Sequence, residues 1–179
     1  MEATSYHQRI LNKVKSLFDA SQPEIFIYSQ AIRSGKTTTL QHLLNSQKNV
    51  AGFLTPDVNG VRMLYDLETH QYLPFQVPGA EECQKPILQI GRFQFYEEAF
   101  ARARHTLQNC ITQHVDLLVI DEVGPLELQQ KGFEPAVSTL IQAQRDGKMK
   151  SNLLLVVRDA LLDQVVQHFQ VDNFRRVNF

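Results

Sequence analysis

The feature that most constrains this chain is a change of hydrophobic period across one short turn. Ile25, Phe26, Ile27 and Tyr28 form a brief β-branched and aromatic run, which reads as a buried strand. Lys36 to Ser46 then reads as a helix, with Leu40, Leu43 and Leu44 on one face. Between them lies SQAIRSG, so the chain passes from strand to helix through a short turn that carries a glycine.

That turn matches the end of a phosphate-binding loop, whose pattern GxxxxGK[ST] sits between a strand and a helix. Gly35, Lys36 and Thr37 supply the last three positions, while Gln30 stands where the first glycine belongs. Gly35 permits unusual dihedrals and a close backbone approach. Backbone amides from Arg33 through Ser34 to Thr38 can point at phosphate oxygens, assisted by the positive end of the helix. Lys36 can bridge β- and γ-phosphates as a mobile cation, and Thr37 can offer a hydroxyl to Mg2+. The bland alternative is a surface turn with a threonine N-cap, which the flanking strand and helix disfavour. Gln30 fits if the loop leaves the strand with an ordinary dihedral. It also leaves open a site that binds weakly or turns nothing over.

LLVIDEVG, Leu117 to Gly124, supplies a second half-site. Four apolar residues carry a strand through the core, and a carboxylate emerges at its C-terminal end. That is the edge at which open α/β sheets bind ligands. Asp121 is placed to accept a hydrogen bond from Thr37 and to organise Mg2+. Glu122 can turn toward the γ-phosphate and polarise a water. Alone, the pair would also suit a charged helix start; with the upstream loop, the phosphate-site reading wins.

Arg33, inside the loop, either reaches the γ-phosphate or faces water. Arg158 directly follows the run Leu153 to Val157 and either supplies transition-state charge or pairs with Asp159 or Asp163. Arg175 and Arg176 rank below it. Asp57 and Arg62 fall near strand ends beside the site, within reach of metal-bound water or ribose. Phe93, Phe95, Tyr96 and Phe100 could stack on a base, although core packing explains them more economically. The six histidines show no metal-ligand spacing.

The remaining chain alternates in the same way. A short N-terminal helix is expected over residues 6–18, a strand over 50–54, and a β-hairpin from 61–67 and 72–77. Ile87 to Phe95 holds another strand, with Gly91 at a bulge or turn. Helices follow at 97–113, 133–143 and 161–169, and the segment closes on FRRVNF. The expected fold is therefore α/β, with three layers: a mainly parallel central sheet, helices on both faces, and an antiparallel hairpin extension. No linker divides residues 1–179, so one domain is expected.

Composition excludes some classes. Eighteen Lys plus Arg oppose nineteen Asp plus Glu, so overall charge offers no nucleic-acid surface. No apolar run approaches the length of a membrane span. Cys83 and Cys110 lack a metal or redox spacing, and with no signal-like apolar core the expected setting is the reducing cytoplasm. No protein partner can be read from these residues.

The motifs also carry a family resemblance. SGKTT at 34–38, AGFLTPDV at 51–58, IGRFQF at 90–95 and LLVIDEVGPLEL at 117–128 occur in one order, and GFEPAV and LLLVVR continue it. In these runs the chain resembles the small nucleoside-triphosphatase family first associated with thermophiles, which includes cancer-related vertebrate members. The resemblance implies a P-loop α/β fold and Mg2+-dependent hydrolysis of several nucleoside triphosphates, ATP and GTP among them. It implies catalysis by Lys36 and Glu122, to which the residue reading adds Arg158, with Thr37 and Asp121 at Mg2+. Nucleotide binding falls to Arg33, Ser34, Gly35, Lys36, Thr37 and Thr38, and Glu127 supports the loop after the strand. Two alternatives share the phosphate site: a kinase acting on a nucleoside, nucleotide or polynucleotide end, and a nucleotide-gated binding module. No NKxD-type guanine-reading run is present, and base preference is not legible.

Overall fold

A computed structural model describes residues 10, 12–19, 22–31, 34–79 and 85–179. The expected N-terminal helix lies partly outside these residues; within them, Ile10 and residues 12–16 are helical. Strand β1, Ile25–Gln30, leads to helix α1, Lys36–Leu44, and then to strand β2, Val50–Leu54. Three short strands follow: β3, Asp57–Val58, β4, Val61–Asp66, and β5, Tyr72–Pro74. The next unit is β6, Ile87–Ile90, with β7, Phe93–Tyr96, and helix α2, Glu97–Asn109. The remainder is β8, Leu117–Val123, α3, Ala136–Arg145, β9, Asn152–Arg158, α4, Leu162–His168, and β10, Arg175–Val177.

The main sheet runs in the order β10-β1-β9-β8-β2-β4-β3, with β5 also on β4. From β10 to β2 every pairing is parallel, and β3, β4 and β5 add the antiparallel extension. This is the mixed α/β sheet with flanking helices that the alternation of periods predicts.

The two faces show why β8 and β9 read as unbroken apolar runs. Leu118, Ile120, Leu153 and Leu155 face one core, with Phe100 and Leu107 of α2 and Val137 and Leu140 of α3. Leu117, Val119, Leu154 and Val156 face the other, with Leu40 and Leu44 of α1. A strand covered on both sides needs apolar residues at both parities.

Several bounds differ from the sequence expectation. Of the two expectations at Gly91 the turn holds, and it divides Ile87 to Phe95 into the two strands of a hairpin, with Ile90 opposite Phe93. The helix expected from Phe133 begins at Ala136, because Glu134 and Pro135 occupy the turn before it. The run FRRVNF contains a strand, β10, which pairs with β1 through Arg175 to Val177. Its polar composition hid it, since an edge strand needs an apolar residue only where it touches the core, here Val177. Cys110 is free and buried, and burial, reinforced by Glu68 and Asp66, pushes its thiol up to about 11. Cys83 lies outside the described residues.

Candidate active site

Four parallel strands, β1, β9, β8 and β2, end side by side. From these ends come the loop to α1, Arg158, the pair Asp121 and Glu122, and Thr55. The sheet therefore gathers residues far apart in the chain along one edge.

Gly35 precedes α1 with φ +86°, and among the described residues a Cβ there would meet nothing within 4 Å. The requirement for glycine is thus conformational rather than spatial. Lys36 is buried, and its ammonium donates to the carbonyl oxygens of Gln30 at 3.0 Å and Ala31 at 2.8 Å. Ser34 Oγ lies 3.5 Å away. Gln30 stays in β1 opposite Arg158 and has no left-handed backbone. Glutamine is accommodated because position 30 itself does not require a left-handed φ. Ser34 and Thr38 are exposed, and Arg33 lies outside the described residues.

Asp121, at 1% exposure, is the best-anchored polar side chain of the site. Its Oδ2 accepts from Thr37 Oγ1 at 2.9 Å, Thr55 N at 2.9 Å and Thr55 Oγ1 at 3.0 Å. Its Oδ1 accepts from Glu122 N at 3.0 Å. Burial pushes the carboxyl up, the charge of Glu122 adds to this, and the bonds from Thr55 and Thr37 oppose it. Thr55 has no assigned role in the sequence reading; a hydroxyl residue directly after the strand VAGFL was its only signal.

Glu122 owes its direction to a bulge. Ile120 pairs with Leu155 and Val123 with Val157, so β8 carries one more residue than β9 across this interval. Glu122 takes φ +61°, a left-handed conformation uncommon for a non-glycine residue. The extra residue breaks strand alternation and turns the side chain toward two arginines. Arg62 Nη1 reaches Oε1 at 3.0 Å, while Arg158 Nε and Nη2 reach Oε2 at 3.2 and 2.7 Å. Burial would raise the Glu122 carboxyl, but Arg62 and Arg158 outweigh it and hold it below the usual range.

Arg158 thus pairs with Glu122, while Asp159 accepts from Ser29 Oγ and Arg176. Asp57 accepts from the backbone of Gly60 in its own turn. Glu127 is buried, and its oxygens accept from Gly124 N at 2.9 Å and Phe133 N at 3.0 Å. It ties the chain after β8 to the turn before α3.

Among the described residues, no cluster of three His, Cys, Asp or Glu side chains is arranged to hold a metal. The donors at Thr37 and Asp121 are hard oxygens, one of them a buried carboxylate. That chemistry suits Mg2+, which uses one or two carboxylates together with substrate phosphates and water. No helix among the described residues is long and apolar enough to cross a membrane.

Comparison with known proteins bears on the family and the fold. The NTPase family model matches residues 24–177. A nucleoside-triphosphatase THEP1 of Saccharolobus solfataricus is 33% identical over 123 residues, covering 62% of this chain and 66% of that protein. The THEP1 of Archaeoglobus fulgidus is 28% identical over 76% of this chain and 81% of its own length. THEP1 from Aquifex aeolicus shares the fold at TM-score 0.63 and 18% identity, covering 86% of this chain and 88% of that one. A human cancer-related nucleoside triphosphatase shares it at TM-score 0.56 and 22% identity, over 87% and 88%. This chain belongs to the THEP1-type P-loop NTPase family.

Proposed function

We propose that the protein hydrolyses the β–γ phosphoanhydride of nucleoside 5′-triphosphates, ATP and GTP among them, in a Mg2+-dependent reaction. The observation that carries this reading is the hydrogen bond from Thr37 to Asp121 with Glu122 beside it. It joins the start of the helix after the phosphate loop to the strand bearing the acidic pair. Mg2+, held by Thr37 and Asp121, would neutralise charge on the β- and γ-oxygens.

The chain's own residues supply the remaining functions. The backbone around Gly35 and the first turn of α1, Ser34 to Thr38, holds phosphate oxygens, and Arg33 belongs to the same loop. Lys36 exchanges its carbonyl partners on the loop for phosphate and carries charge through the transfer. Glu122, kept ionised by its arginines, accepts a hydrogen bond from the attacking water and orients it. Arg158 lies opposite Gln30 at the start of the loop, a position from which it can stabilise the transferring group. Gln30 has no left-handed φ, so glutamine at this position sets no backbone obstacle to the reading.

A panel of nucleoside triphosphates, with released phosphate measured for wild type, Lys36→Ala and Glu122→Gln, tests the proposal. Both variants are expected to lose hydrolysis by about 10²-fold or more, with nucleotide binding kept in Glu122→Gln. Equal phosphate release from wild type and Glu122→Gln would remove the carboxylate from the mechanism.

A further inference from the structure

Two sequence runs that the triphosphatase reading leaves unused meet at one cavity. Ile90 to Phe95 builds the β6–β7 hairpin, and Pro125, Leu126 and Glu127 follow β8. Both line a cavity of about 310 Å³ whose polar end is Arg62, Glu122 and Arg158.

The other walls are aromatic. Phe75, Phe95, Phe100 and Phe133 are buried, with ring centroids 4.8 to 6.3 Å apart. Phe93 also lines the cavity yet is 42% exposed, and the Arg92 guanidinium lies 5.0 Å from its ring centroid. Core packing accounts for the four buried rings. It does not account for the space beside them or for a phenylalanine left at the rim.

The cavity calls for an occupant that is flat and apolar at one end and hydrogen-bonding at the other. Its volume lies at the lower limit of small-molecule sites, which suits a nucleoside better than a peptide or a polynucleotide. Phe93, the exposed ring of the lining, offers a face on which a nucleobase can stack without a particular base being needed, and the buried rings close the space behind it. Position then decides its use. Glu122 lines the cavity and also follows Asp121, the residue bound by Thr37. A hydroxyl at the polar end would therefore meet the same carboxylate that orients water in hydrolysis.

We infer that this cavity binds a nucleoside as phosphoryl acceptor, its base against Phe93 and a sugar hydroxyl toward Glu122. The inference rests on the triphosphatase reading and adds a second substrate to that centre. The hydroxyl oxygen forms a bond to the γ-phosphorus as the bond from that phosphorus to the β–γ bridging oxygen breaks. The nucleoside diphosphate leaves with the electron pair. The hydroxyl is oriented by a hydrogen bond to the Glu122 carboxylate, and its proton leaves to water.

The test incubates the protein with Mg2+, γ-labelled ATP and, in turn, adenosine, guanosine, cytidine, uridine and thymidine. Labelled phosphate is separated from labelled nucleoside monophosphate, and each nucleoside is also titrated calorimetrically without triphosphate. At least one nucleoside is expected to bind and to acquire label. Phe93→Ala should lower the ratio of labelled monophosphate to released phosphate by about tenfold. Ile90→Trp, which fills the cavity from the hairpin, should do the same. The inference is overturned if no nucleoside binds at millimolar concentration, if one binds but all label stays in phosphate, or if neither variant moves the ratio. Phosphate release that Lys36→Ala abolishes, without transfer, overturns this inference and leaves hydrolysis standing. No release or transfer from wild type sinks the triphosphatase reading itself, and the calorimetry still decides whether a nucleoside occupies the cavity.

Discussion

Arg158 donates twice to a single oxygen of Glu122, from Nη2 at 2.7 Å and Nε at 3.2 Å. Arg62 takes the other oxygen at 3.0 Å. The two arginines arrive from opposite sides of β8, one on neighbouring β9 and one on the antiparallel extension. Together they fix a carboxylate that the bulge has turned out of the sheet.

The arginines should not be equivalent. Arg158 borders the phosphate loop, so Arg158→Ala should lower turnover by about 10²- to 10³-fold. Arg158→Lys should not restore it, because one ammonium cannot reproduce a contact made by two guanidinium nitrogens. Arg62→Ala, which removes only a support of Glu122, should cost about tenfold. Phosphate-release rates at saturating nucleotide decide this; a lysine variant at the wild-type rate would show that charge alone suffices.

Thr37 and Thr55 make matching hydroxyl bonds to Asp121 Oδ2, at 2.9 and 3.0 Å. Thr37→Val and Thr55→Val should each lower unfolding stability by about 1–2 kcal/mol in urea titrations. Only Thr37→Val should raise the Mg2+ concentration for half-maximal activity, by about tenfold. Equal shifts in both variants would place Thr37 with Thr55 as an anchor of the carboxylate.

Glu127 offers a pH signature. Burial raises its carboxyl from 4.5 to about 7, against the bonds from Phe133 and Gly124, with Glu134 adding to the rise. A carboxyl raised in the folded state retains its proton there while the unfolded chain loses it. Folding stability is thus favoured below pH 4.5 and declines as pH climbs toward 7. Glu127→Gln removes this titration but also one backbone acceptor. Its destabilisation relative to wild type should therefore shrink by about 3 kcal/mol between pH 4.5 and 8, as a shift of that size requires. Denaturant midpoints across that range would show it; a constant difference would mean that Glu127 titrates normally.

Gly52 is held by its neighbour strand. It has φ +98°, and a Cβ there would run into the backbone of Val119, starting with its carbonyl oxygen. Gly52→Ala should cost about 3 kcal/mol or more, because β2 would have to move away from β8. A variant with wild-type thermal stability would contradict that close approach.

The legible parts of this protein were those encoded locally. The strand before the loop, the helix after it, the acidic pair and the hairpin at β4 and β5 each sit within a short window whose period or turn chemistry is visible. What stayed hidden depends on register between distant strands. Thr55 became an anchor of Asp121 only because β2 ends beside β8. Arg158 found Glu122 rather than Asp159 or Asp163 because β9 lies against β8 and the bulge swings the carboxylate across. Strand β10 was obscured for a related reason: Arg175 and Arg176 face outward at an edge, and β1 provides the partner that makes them a strand.

The pairing of β1 has a consequence for how the site comes into being on the ribosome. The strand that leads to Lys36 is flanked by β9 and β10, at residues 152–158 and 175–177. During synthesis β1 emerges before both partners and waits, both edges unpaired, until those distant segments appear. Non-local pairing of this kind slows assembly and leaves sticky edges open in the interval. The nucleotide loop is thus made well before the two strands that give it its framework.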